Sequence, residues 1–210
     1  IAMHGMQLFI ATVASTLEEV RMAVSAAQKH TKDILLMQCN TNYTASLENF
    51  KHINLNVLHS YKEEFPGLLL GLSDHTPGHS TVLGAVTIGA RAVEKHFTDD
   101  TSREGPDHKF SMDPKTWREM VDRTRELEFS LGDGNKKIQD NEKDSYVVQR
   151  RSIHSKKDMK KGHVITVDDL TMLRPELENS FKPYEINDLI GKELIENIEA
   201  NQCIKKSHIK

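Results

Sequence analysis

The sequence predicts an α/β fold with a parallel sheet, followed by a small β-rich module, on three observations. Up to residue 134, short apolar runs alternate with helix-like stretches. Two of those runs, LLLGLS and AVEKHF, lead into His75 and His96 with a small-residue helical segment between them. Beyond a polar stretch at 135–147 the pattern changes to brief β-like pieces, divided by charged turns, that extend to residue 210.

Residues 7–12 (QLFIAT) read as the first buried strand. Ser15 or Thr16 then caps a helix, because Glu18 and Glu19 suit the positive end of a helix and Val20, Ala23, Val24 and Ala27 recur at helical spacing. Residues 34–39 (ILLMQC) form the second strand and end at Asn40-Thr41-Asn42-Tyr43. A helix from Leu47 to Glu63 follows, carrying Phe50, Ile53, Leu55, Val57 and Leu58 and broken by Phe65-Pro66-Gly67. The third strand stops at the turn residues Asp74-His75-Thr76-Pro77-Gly78. Val82, Leu83, Val86 and Ile88, interleaved with Gly84, Ala85 and Ala90, make a helix able to lie flat on a sheet. Residues 92–97 are the fourth strand, and Trp117, Met120, Val121, Thr124 and Leu127 stripe a closing helix that Gly132 and Gly134 terminate.

A strand, a crossover helix and a strand force parallel pairing, so all four strand tips lie at one edge. Four such strands make half of an eight-stranded barrel or a small open sheet. A half-barrel alone exposes two sheet edges and a large apolar face, and is expected to be marginal. The carboxyl edge is where parallel α/β folds bind ligands. Two imidazoles at matching strand ends suit a divalent metal, with Asp74 and Asp107 as third ligands or supporting partners. The competing reading is two hydrogen-bonded loop histidines. Alternation sets Lys95 opposite His96.

The charge balance, 28 Lys+Arg against 31 Asp+Glu for a net −3, argues against a dedicated nucleic-acid binder. Cys39 and Cys203 form neither a disulfide framework nor a zinc-finger spacing, and a reducing cytoplasm is the expected compartment. No apolar run approaches membrane-span length, and nothing at the start resembles a signal peptide. The chain opens at Ile1, inside an element, and is expected to belong to a longer sequence.

Three units follow: a parallel α/β unit at 1–134, a linker at 135–147 and a β-rich module at 148–210. In the module, residues 158–170 lie over 197–209 as a weak repeat. Met159 matches Ile198, Val164 matches Cys203, Ile165 matches Ile204 and Leu170 matches Ile209, while Gly162 faces Asn201, two residue types that tolerate positive φ. This predicts pseudo-symmetric halves.

Taken together, GLSDHT, EKHFTDD, REGPDHKFSM and CNTNYTAS, then RRSIHSKKDMKKGHVITVDDLTMLRPE and LIGKELIENIEANQCI, resemble the sialic acid (N-acetylneuraminate) synthase family over essentially the whole chain. The resemblance implies the last four strands of a TIM (β/α)₈ barrel followed by an antifreeze-like SAF domain of the β-clip type. It implies condensation of phosphoenolpyruvate with an N-acetylated aminosugar, usually N-acetylmannosamine, with a divalent metal that is manganese first and magnesium or cobalt as alternatives. Sister synthases make legionaminic or pseudaminic acid, and a non-catalytic carbohydrate-binding remnant is the reading of another class. Position by position, His75 and His96 match the metal ligands, and Ser73 and Asp107 match polar residues lining the site. Tyr43 and Thr41 match the substrate-contacting strand end, where the family commonly has Asn in place of Thr41. Arg174 matches an arginine that one subunit inserts into the other's barrel to meet the sugar's acyl group, which implies a domain-swapped homodimer. Val13 stands where the family often has a turn glycine, which predicts a strained loop. The family's essential glutamate and the lysines that clamp phosphoenolpyruvate lie in the first four strands, so the 210 residues are expected to be inactive alone.

Overall fold

The computed structural model describes residues 2–4, 6–43 and 46–210; Thr44 and Ala45 of the CNTNYTAS stretch lie outside the described residues. The chain divides into two compact units, Ile1–Gly134 and Asn135–Lys210.

The first unit is a curled half-barrel. Strands β1 (Leu8–Ala11), β2 (Ile34–Cys39), β3 (Leu69–Asp74) and β4 (Ala92–Lys95) lie in that order and are all parallel. Helices α1 (Leu17–Gln28), α2 (Val57–Glu64), α3 (Ser80–Ile88) and α4 (Pro114–Leu131) connect or close them. Thr16 caps α1 through a reciprocal box with Glu19, and Asp113 caps α4 ahead of Pro114. The core beneath the helices is Leu36, Leu70 and Leu72 of the sheet against Val20, Val24, Leu58, Tyr61 and Ala85. On the opposite face, Leu35 and Met37 close over Gly71, where an added Cβ would lie 2.8 Å from the Met37 Cγ and 2.9 Å from the Ala92 carbonyl oxygen. Glycine at this position lets β2 and β4 approach β3.

The helix expected over Leu47–Glu63 is two pieces: a 3₁₀ segment at Leu47–His52 and α2 at Val57–Glu64. Its apolar residues do not hold one helical period across Ile53, Leu55 and Val57, and Asn54 sits between the pieces at φ +50°. Val13 has φ +33°, a left-handed conformation that a β-branched residue rarely adopts. The stretch 135–147, expected as a linker, carries a 3₁₀ turn at Asp140–Glu142 and the start of helix α5 (Lys143–Gln149). Gln139 and Glu142 bond reciprocally there, a local capping signal that a search for apolar periodicity passes over.

In the second unit β5 (Ser152–Ser155) pairs antiparallel with β6 (Leu170–Leu173). Ile153, Met159, Ile165, Leu170, Phe181, Leu189, Leu194, Ile198 and Ile204 form its core. The repeat is realised as an internal dyad. Met159 and Ile198 bond each other reciprocally, both at 2.8 Å. The bonds Gly162 N to Leu194 O and Asn201 N to Ser155 O, each 2.8 Å, are counterparts one repeat apart. So are Ile165 N to Lys192 O at 2.9 Å and Ile204 N to Ile153 O at 3.0 Å. Gly162 at φ +86° and Asn201 at φ +64° turn the chain alike. One matched pair departs from symmetry: Val164 is exposed where Cys203 is buried. Among the described residues, no helix is long and apolar enough to cross a membrane.

Candidate active site at the carboxyl edge of the half-barrel

Parity along the strands decides what the edge displays. Cys39, Ser73 and Glu94 are in register across β2, β3 and β4, and Ser73 Oγ donates to Glu94 Oε1 at 2.7 Å. His75 and His96 come two residues further along the same parity, one level nearer the mouth. Their ring centroids are 5.0 Å apart. The loop after β4 is folded back over them because Met112 N donates to the His96 carbonyl at 2.9 Å and Thr98 N to the Met112 carbonyl at 3.0 Å. That return brings Asp107 Oδ2 to 3.5 Å from His96 Nδ1 and the buried Phe110 ring to 4.9 Å from His96. Tyr43, from the tip of β2, crosses both imidazoles edge-on, at 4.5 Å from His75 and 5.6 Å from His96.

His75 is buried, and its Nδ1 has no hydrogen-bond partner. Burial first, and then the neighbouring His96, hold its pKa below the ordinary imidazole value, against the opposing pull of the Asn40 backbone and the Asp74 and Glu94 carboxylates. A neutral imidazole with an unpartnered buried nitrogen can offer a lone pair there to a cation. Among the described residues no group of three or more His, Cys, Asp or Glu side chains forms a complete metal cage. Two imidazoles side by side on an open mouth are donors of the kind a divalent cation takes.

Asp74 is not available as a third ligand. It points to the helix side, where its carboxylate accepts from Thr76 N at 3.0 Å, Thr76 Oγ1 at 2.9 Å, Thr81 Oγ1 at 2.5 Å and Lys95 Nζ at 2.7 Å. Lys95 is buried against it, on the opposite face of the sheet from His96. Thr41 lines a cleft of about 270 Å³ with Val13, Ala14, Asn40, Asn42 and His52 at the tips of β1 and β2, a lining that includes neither His75 nor His96. Arg174 belongs to the second unit, just past β6, where it is exposed and its peptide bond to Pro175 is cis. The structure thus brings together Tyr43, His75, His96 and Asp107, with Ser73 a level below. It adds Phe110 and Glu94, which the sequence reading missed. Phe110 is the only aromatic residue between Thr98 and Ser111, and Glu94 shares the parity of His96. Both signals were present.

Residues 1–136 match the NeuB family and residues 150–210 the SAF domain. The chain is 37% identical to the N,N'-diacetyllegionaminic acid synthase of Legionella pneumophila, over 99% of this chain and 58% of that protein. It is 34% identical to the enzyme of the same name from Campylobacter jejuni, over 98% of this chain and 61% of that protein. The chain therefore spans about three fifths of the length of these curated relatives. The crystal structure of N-acetylneuraminic acid synthetase from Leptospira borgpetersenii, in complex with citrate, superposes with a TM-score of 0.61 at 28% identity, covering 69% of this chain and 49% of that one.

Proposed function

Because the chain belongs to the NeuB family and carries a SAF domain behind its half-barrel, we propose that it is the sugar-handling part of a nonulosonic acid synthase. Such an enzyme joins phosphoenolpyruvate to an N-acetylated aminosugar of the N-acetylmannosamine type and releases phosphate. The observation that carries this reading is the pair His75 and His96, neighbours on one face at the carboxyl edge, with Tyr43 across both.

His75 and His96 would hold a divalent cation, manganese first, which when bound supplies Lewis-acid polarisation of the aldehyde oxygen of the open-chain sugar. The enol carbon of phosphoenolpyruvate attacks that aldehyde, water adds at the carbon bearing phosphate, and phosphate leaves. Asp107 orients the His96 ring through Nδ1 and offers its second oxygen to a sugar hydroxyl. Tyr43 and Phe110 wall the imidazoles on their open sides and exclude bulk water, which strengthens every polar contact inside. Ser73 and Glu94 form a polar floor beneath. Arg174 of one subunit reaches the partner's barrel in a domain-swapped homodimer and meets the acyl group of the sugar.

A second reading concerns the sugar. The 37% and 34% identities to diacetyllegionaminic acid synthases favour a diacetamido sugar over N-acetylmannosamine. The test is phosphate release by the protein of the whole reading frame, with phosphoenolpyruvate, manganese and a panel of mono- and diacetamido sugars. Release with one class and not the other decides the sugar. No release with any sugar would turn the reading to a carbohydrate-binding remnant.

A further inference from the structure

We propose that Lys95 is a positioning residue whose buried ammonium sets the spacing of the two imidazoles. The inference rests on the reading of His75 and His96 as cation ligands. Lys95 and Asp74 are in register across β3 and β4, and their side chains are 1% and 0% exposed. Two buried charges cost more in lost hydration than a well-packed apolar pair would, so joining the strands does not by itself call for them. What an apolar pair cannot do is grip backbone. Lys95 Nζ donates to Asp74 Oδ2 at 2.7 Å and also to the Thr76 carbonyl at 2.7 Å.

Asp74 and Thr76 are the residues on either side of His75, and Lys95 is the residue before His96. One ammonium therefore ties both flanks of the first imidazole to the backbone that carries the second. The Asp74 carboxylate completes the tie by accepting from Thr76 N and Oγ1. Thr81, from the first turn of α3, also donates to Asp74 and shares a hydrogen bond with Thr76 Oγ1 at 3.0 Å, so it touches both flanks of His75 but not β4, which carries His96. The network thus has a part, Lys95, that joins the strand of one imidazole to the flanks of the other, and a part, Thr81, that ties only the tip of β3 to α3, and these can be separated.

The experiment measures Mn²⁺ binding to the full chain by loss of the free-ion electron paramagnetic resonance signal, with thermal melts alongside. Lys95→Met alone leaves a buried carboxylate unpaired and threatens the fold, so the informative variant is Lys95→Met with Asp74→Asn, which removes both charges together. The expected result is a folded double variant whose Mn²⁺ dissociation constant rises at least tenfold, the range seen when groups orienting metal ligands are lost. Thr81→Val is expected to melt earlier yet to bind Mn²⁺ within threefold of the parent chain. A folded double variant with less than a tenfold loss overturns the inference. So does a Thr81→Val chain that loses affinity beyond threefold, and so does a double variant that cannot fold, which would make the pair a requirement of the fold. Failure of the underlying reading looks different: the parent chain does not bind Mn²⁺, or binding is unchanged in His75→Ala.

Discussion

His75 and His96 differ in what surrounds them, and the difference bears on how each can be tested. His75 is buried with a free Nδ1, whereas His96 is half-buried and leans on Asp107. His75→Ala and His96→Ala are each expected to abolish Mn²⁺ binding, read by titration calorimetry; unaltered binding in either would remove that residue from the site. Asp107→Asn keeps the shape and loses the carboxylate that stands 3.5 Å from His96 Nδ1. It should weaken Mn²⁺ about 10-fold, toward the lower end for partners of ligating histidines, and an unchanged titration would leave Asp107 to the sugar alone. The imidazoles were legible in the sequence because strand parity is local: two apolar runs and a crossover place both at one edge. The roles of Asp74 and Lys95 were not, because each is explained by the other across 21 residues of separation and nothing short-range announces the pair. Phe110 was missed for a related reason. Its place over His96 depends on Met112 bonding back to the His96 carbonyl, a long-range tie.

At the scale of elements, the half-barrel depends on one close approach. At Gly71 an added methyl group meets the Ala92 carbonyl at 2.9 Å, and backbone cannot swing aside as a flexible side chain does. Gly71→Ala is therefore expected to destabilise the unit by about 1–3 kcal/mol, the usual range for overpacking, with urea denaturation as the measure; a change near zero would mean that the strands separate easily. In the SAF unit the corresponding element is the turn held by Asp169. Burial alone would raise this carboxyl, but the Lys157 ammonium, His163 and the backbone and hydroxyl of Thr166 together hold it well below the usual carboxylate range. A carboxyl with a depressed folded pKa contributes stability that is complete above its unfolded value and is lost progressively as pH falls from that value through the folded one. The unit should accordingly lose stability below about pH 5, starting from an unfolded pKa near 3.9. Asp169→Asn should flatten that acid slope while lowering stability at pH 7 by about 1–3 kcal/mol. An acid slope equal to the parent's would place the titrating group elsewhere. The dyad puts His208 where Asp169 stands and Glu196 where Lys157 stands, so the second half repeats the contact with the carboxylate on the other partner and with an imidazole, its pKa lowered by burial, in place of the buried carboxylate.

At the scale of the whole molecule, the two units differ in how completely each closes its own core. The SAF unit pairs its repeats through reciprocal backbone bonds around a shared apolar centre, and its described residues need no other chain to satisfy that symmetry. The half-barrel instead ends in β1 on one side and β4 on the other, with Phe9 and Leu69 more than two fifths exposed on the face away from the helices. Unpaired strand edges beside apolar surface favour association with other chains. Residues 135–210, expressed separately, are expected to be monomeric with a melting temperature independent of concentration. Residues 1–134 are expected to associate as concentration rises and to bind a hydrophobic dye while folded. Sedimentation across a 30-fold concentration range, chosen as roughly 2 kcal/mol of mass action, checks both. A monomeric, dye-silent half-barrel would mean that the sheet closes its own edges. That outcome would remove the physical reason for expecting four further strands beside β1 and β4.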